Sequence, residues 1–104
     1  MIISWHSKAV EDLREKIELM VQRKPQNALL VLKTFSKLCD SLENDPYKYP
    51  MEPVYNSENI RFVTKWSFKI IYRVEGDHIY ILRIFNSYQN PNNVFELSLP
   101  FKDF

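Results

Sequence analysis

A chain of 104 residues, 45% hydrophobic and 14% aromatic, holds enough apolar material for one domain, since a chain of this size buries roughly 60–70% of its unfolded surface. A single cysteine excludes an internal disulfide, no apolar run approaches the roughly 20 residues that cross a bilayer, and no secretory leader pattern is visible, so a cytoplasmic setting is expected. The net charge of +1 and pI near 7.8 fall short of the basic balance of a dedicated nucleic-acid binder, so any cationic site must be local.

In chain order, Ile2 to Trp5 is apolar and reads as a short strand. Ser7 is placed to cap a helix running to about Arg23, with Glu11 and Asp12 early in it to suit the helix dipole. Val10, Leu13, Ile17, Met20 and Val21 recur at spacings of three and four, which predicts one buried face. Pro25 suits the first turn of a second helix, whose Ala28, Leu32, Phe35, Cys39 and Leu42 form a stripe widened by Leu29, Val31 and Leu38. The short connection between them implies an antiparallel hairpin.

Asn44 to Asn59 is the one irregular stretch: Pro46, Pro50 and Pro53 bar helix and central strand. Its Tyr47, Tyr49 and Tyr55 either pin the loop to the core or offer stacking faces. Three strand-like runs then follow from Ile60 to Pro91, with Gly76 closing a hairpin between two of them. The alternation sets Phe68, Ile70, Tyr72 and Val74 against Lys69, Ile71 and Arg73, and Ile60, Phe62, Thr64 and Trp66 against Arg61, Val63 and Lys65. That pattern predicts one oily and one cationic face, the latter either merely solvated or a surface for an anionic partner. Beyond Pro91, Phe95, Leu97 and Leu99 alternate with Val94, Glu96 and Ser98, as an added edge strand or as apolar contacts for a partner.

Chemistry-bearing motifs are few. Cys39 lies within an apolar stripe with no cationic partner to activate it, which reads as structural. His6 and His78 have no metal-ligand spacing, and one glycine cannot build a phosphate-cradling loop, so neither a metal nor a cofactor is expected. Residues 1–104 are expected to form a single domain.

Taken in order, Ala9, Asp12-Leu13 and Ile17, then Leu42 with Pro46, Arg61, the run Phe68-Lys69-Ile70-Ile71-Tyr72-Arg73-Val74, and Ile81-Leu82-Arg83-Ile84-Phe85 ahead of Gln89-Asn90-Pro91 resemble the RelE/ParE superfamily of bacterial toxins. The resemblance implies an α+β fold: an N-terminal strand and an antiparallel helix hairpin packed on a twisted antiparallel sheet of about four strands. It also implies a toxin of a type II toxin-antitoxin (plasmid stabilisation) system, with a cognate antitoxin protein as partner and neither a membrane nor a small-molecule cofactor.

Activity divides within that superfamily. RelE-like members cut messenger RNA on the ribosome without metal, through basic residues and a terminal acid/base group, whereas ParE-like members are known for poisoning DNA gyrase. Lys69 stands where the nuclease pattern usually has arginine, and Tyr88 where it carries a key arginine, so the ParE-like branch is favoured. Arg61, Lys65, Lys69, Arg73, Arg83 and Tyr88 are the candidates for contacting the target or RNA. If the chain is a nuclease, Arg61, Lys69, Arg83 and Tyr88 would be the catalytic candidates. An inactive, antitoxin-binding member is the third possibility.

Overall fold

The computed structural model describes residues 1–86, and within them six elements succeed one another: β1 (Ile2–Trp5), α1 (Ser7–Arg23), α2 (Pro25–Ser41), β2 (Ile60–Lys65), β3 (Phe68–Glu75) and β4 (His78–Asn86). The sheet order is β1-β4-β3-β2. The last three strands form an antiparallel meander, while β1 joins β4 in parallel, giving a mixed sheet within the α+β architecture. That parallel pairing is possible because the two helices and β2–β3 separate the partners, far more chain than a crossover requires.

The helices cover one face. His6, not Ser7, caps α1: its Nδ1 accepts the Lys8 N–H at 3.0 Å, and Ser7 is already the first helical residue. On α2 the buried stripe is Ala28, Val31, Phe35, Cys39 and Leu42. Leu29 and Leu32, expected in that stripe, are exposed, as are Val10 and Val21 of α1, because the hairpin presents only its sheet-facing side to the strands. Against the stripe pack Val63, Phe68, Ile70, Tyr72, Val74, Ile79, Ile81 and Ile84. Phe35 meets Phe68 edge to face at 5.4 Å, a geometry worth about 0.5–1.5 kcal/mol beyond area burial.

The opposite face is not a plain cationic surface. The two-residue turn Trp66–Ser67 pairs Lys65 with Phe68, so odd-numbered residues of β2 face the same way as even-numbered residues of β3. Val63 therefore enters the helix-covered core with Ile70, and Arg61 and Lys65 sit at the margins of that face, whereas Lys69 and Arg73 lie on the other. The expected single cationic face is thus divided in two. The second face carries its own apolar cluster, Ile71, Leu82 and Phe85, with Tyr55, Ile60, Phe62 and Tyr80 packed around it.

A bulge at Leu82 makes both clusters possible. Ile71 pairs with Arg83 but Tyr72 with Ile81, leaving Leu82 as the extra residue on β4. Ile81 and Ile84 consequently reach the helix-side core, and Leu82 and Phe85 the other.

Candidate functional site

The cations singled out by sequence do not converge. Arg61 is bound by the loop: Nε donates to Glu58 O at 2.9 Å, and Nη1 to Tyr47 O at 3.2 Å and Tyr49 O at 2.9 Å, with the guanidinium 5.0 Å from the Tyr47 ring centroid. Three main-chain carbonyls from the Pro-rich stretch are thereby satisfied by one side chain. Tyr49 packs on the main core, and the Tyr72 hydroxyl donates to Pro46 O at 2.5 Å. Burial drives the Tyr72 phenol well above its ordinary pKa.

Lys69 pairs with Glu52, and its Nζ lies 4.3 Å from the Phe62 ring centroid. Glu52 is fully buried and anchors the same loop from the other face. Its second carboxylate oxygen accepts the Val54 N–H at 2.6 Å, its own N–H donates to Ile60 O at 2.9 Å, and its carbonyl accepts the Asn56 N–H at 3.0 Å. Tyr55, next in the cluster, has its phenol pushed up to about 12 by burial and then by the Glu52 charge, with Arg83 opposing.

Arg83 is committed to α1. Its Nε and Nη2 donate to the two Asp12 oxygens at 2.8 and 2.7 Å, and Asp12 Oδ2 also accepts the Ile84 N–H at 2.9 Å. Lys16, one turn further along, donates to Ile84 O at 3.2 Å. Since β1 pairs with β4 only as far as Ile81, these side chains take over where β1 stops and satisfy backbone groups that an open strand edge would expose. Burial lowers the Lys16 pKa, with Asp12 and Glu15 opposing.

The remaining candidates lie apart. Arg73 Nη2 is 3.4 Å from the Glu75 carboxylate and is paired across the ladder with Tyr80. The Tyr80 ring stacks on His78 at 4.3 Å, and His78 Nε2 is 2.6 Å from Ser4 Oγ. Lys65 reaches over the Trp66 ring at 5.3 Å. Tyr88 and the alternating tail Val94–Leu99 lie outside the described residues.

Sequence reasoning missed the two carboxylates that organise these cations. Asp12 could have been found, for it lies four residues before Lys16 on the stripe of Ala9, Leu13 and Ile17, where an acid needs a buried partner. Glu52, between Pro50 and Pro53, gives no such signal. Cys39 is buried, and that burial first, then Asp40, pushes its thiol up to about 12, which keeps it protonated.

Elsewhere, a cavity of about 570 Å³ opens beneath the α1–α2 turn, between Lys16, Leu19, Met20, Asn27 and Phe68. Among the described residues no helix is long and apolar enough to cross a membrane.

The pattern of the ParE toxin of the type II toxin-antitoxin system parDE matches residues 3–91. Among solved structures, a chain of the chromosomal ParDE TA system from P. aeruginosa superposes with a TM-score of 0.68 at 27% identity, covering 83% of this chain and 95% of that one. No curated protein matches.

Proposed function

This chain belongs to the ParE toxin family of type II toxin-antitoxin systems, and on that premise we propose that it is a cytoplasmic toxin that acts by binding a protein target, DNA gyrase, and is neutralised by a cognate antitoxin. The observation that carries the choice of target is the internal commitment of the cations. Cleavage of RNA needs arginine or lysine aimed at the phosphate where charge develops. Here Arg61 holds loop carbonyls, Lys69 holds Glu52 and Arg83 holds Asp12, at three separate places.

Recruiting Lys69 or Arg83 to phosphate would strip a buried carboxylate of its partner, a change that costs about 3–5 kcal/mol. The net charge of +1 also gives little long-range attraction for a polyanion such as the ribosome. A toxin that recognises a protein makes neither demand. It needs a rigid scaffold, and the same ion pairs that withdraw the cations from solvent supply one.

Induced expression with and without the product of the adjacent reading frame, followed by pulse labelling, tests this reading. DNA synthesis is expected to fail while protein synthesis initially continues, the purified chain is expected to inhibit gyrase, and the neighbour is expected to relieve both. The variant Lys69→Met with Glu52→Gln, which removes charge without stranding a buried carboxylate, is expected to remain toxic. Early arrest of protein synthesis with cleaved messenger RNA, abolished in that variant, would replace the gyrase reading with a ribosome-dependent nuclease.

A further inference from the structure

The sheet has two outer strands, β1 and β2, and the fold treats them differently. β2 is covered: Met51 bridges to Arg61, the Phe62 N–H donates to Pro50 O at 3.1 Å, and the Glu52 N–H donates to Ile60 O at 2.9 Å. Arg61 and Lys65 add charge along it. Where β1 stops beside β4, the Asp12 carboxylate and the Lys16 ammonium take its place at Ile84. Covering and charging are the usual means by which proteins keep a strand edge from pairing with another chain.

The outer edge of β1 has neither. Its residues Ile2, Ile3, Ser4 and Trp5 include no charge, proline or glycine, and Met1 and Ile2 are 47% and 62% exposed. The bonds from Ile2 N–H to Asp77 O at 2.9 Å and from His6 N–H to Ile81 O at 2.8 Å fix the phase of its parallel pairing with β4. In a parallel ladder alternate residues turn both main-chain groups to the same neighbour. Ile2, Ser4 and His6 therefore serve β4, while Ile3 and Trp5 turn their N–H and C=O groups outward. Among the described residues no group bonds to these.

The outward pattern is complementary to itself. When a second β1 is laid antiparallel with Ser4 facing Ser4, Ile3 of each copy falls opposite Trp5 of the other. That pair exchanges both N–H···O bonds, so every outward group is satisfied. The same register makes Ile3 and Trp5 a cross-strand aromatic and β-branched pair and sets the exposed Ile2 opposite His6 of the other copy. Ser4 makes no demand of its own, since its Oγ lies 2.6 Å from His78 Nε2. The twofold axis passes between the serines, perpendicular to the sheet, which keeps both helix hairpins on one side and both loops on the other. An isologous contact of this kind closes at two copies, and the covered β2 edges stop further growth.

We propose that the outer edge of β1 is the interface with a second copy of this chain, joined through antiparallel β1 strands centred on Ser4 into one continuous sheet. The proposal goes beyond the toxin reading and does not depend on it. Two short strands make a contact of the weak class, below about 1,200 Å², so the dimer dissociates on dilution.

Sedimentation and amide hydrogen exchange of the purified full chain, over a series of concentrations, test this. The amides of Ile3 and Trp5 are expected to gain protection as the dimer forms, while that of Thr64 on β2 is unaffected. Ile2→Lys, at an exposed position, is expected to weaken association at least about tenfold and to unfold thermally as the parent does. Ser4→Cys sets two thiols at a non-hydrogen-bonded pair with about 4.5 Å between Cα atoms, and mild oxidation is expected to give a covalent dimer. Cys39 is buried, and Thr64→Cys serves as control. A chain that stays monomeric, with exchange at Ile3 and Trp5 independent of concentration, overturns the proposal. So does a dimer indifferent to Ile2→Lys that gives no Ser4→Cys cross-link, which would place the contact elsewhere. Protection of Ile3 and Trp5 that comes only with the product of the adjacent reading frame also overturns it and assigns the edge to the antitoxin. None of these results bears on the toxin reading, which stands or falls by the pulse labelling.

Discussion

The two faces of the sheet are closed by different means. On one, α2 and α1 cover Phe68, Ile70, Tyr72, Val74, Ile79, Ile81 and Ile84, and the seal is almost wholly apolar. On the other, the stretch between α2 and β2 folds over Ile71, Leu82 and Phe85, and its position is fixed by polar anchors: Glu52 buried against Lys69 on that face, and Arg61 holding the loop's carbonyls from the margin of the helix-covered face. A helix satisfies its own backbone and can bury an oily stripe at little polar cost. A proline-interrupted loop cannot, so it needs side chains to satisfy its carbonyls and N–H groups. The difference teaches that the charged residues of β2 to β4 serve largely to attach coverings to the sheet.

The largest effect is expected where α1 is attached to β4. Arg83→Met should lower stability by about 3–5 kcal/mol, because Asp12 is left buried without its cation. Adding Asp12→Ala should recover only part of that loss, since the Ile84 N–H then also lacks its acceptor. Urea unfolding of the three proteins measures both steps. Full recovery in the double variant would mean that the edge of β4 gains nothing from Asp12, and that this pair serves no purpose but its own neutralisation.

Glu52→Gln should act on the loop face alone, costing about 1–3 kcal/mol as a charge-assisted bond is replaced by a weaker one. Hydrogen exchange at Val54, Tyr55 and Asn56 should accelerate before that of β3 and β4, because their N–H groups bond to Glu52 itself. Uniform acceleration along the strands would erase the distinction between the two coverings and make loop and sheet one cooperative unit.

Alkaline pH probes both faces through different groups. Cys39 on the helix face has its thiol raised from 9.0 to about 12, and Tyr55 on the loop face its phenol from 10.0 to about 12, in both cases chiefly by burial. Each group is neutral when folded and ionises more easily once unfolded, so its contribution is complete below the unfolded value and is lost as pH rises through the folded one. Stability should therefore start to fall above about pH 9 through Cys39, by at most about 1.4 kcal/mol per pH unit, with Tyr55 joining above pH 10. Denaturation curves of Cys39→Ala and Tyr55→Phe should each show a shallower decline, the first from lower pH. Thiol reagents should meanwhile modify Cys39 only at the rate of unfolding.

The elements were legible because their periods are long and clean: the helix hairpin, the Gly76 turn and the three closing strands all follow from spacing. The distribution of charge was not. Which face receives Arg61 or Val63 depends on whether the β2–β3 turn holds two residues or three, and Trp66–Ser67, with neither glycine nor asparagine, carries no turn signal. The Asp12–Arg83 pair joins residues 71 apart and depends on the Leu82 bulge, neither of which local pattern encodes. The same limit explains why Lys69 and Arg83 read as candidates for a site when the fold pairs both with buried acids.

Trp66 offers the smallest expected effect on stability and the sharpest contrast with the buried aromatics. At Phe35, which has no exposure, truncation to Ala should cost about 3–5 kcal/mol as a cavity opens in the helix-covered core. At Trp66 the terms oppose one another: asparagine relieves the strain of φ +54° and forfeits the tilted contact with Phe35. Trp66→Asn should therefore shift stability by no more than about 1 kcal/mol in either direction. Equilibrium unfolding of Trp66→Asn beside Phe35→Ala measures the contrast. A loss above about 2 kcal/mol would show the ring to be part of the core after all, and the tip of the hairpin would then belong with the helix-covered face instead of with the solvent-exposed surface.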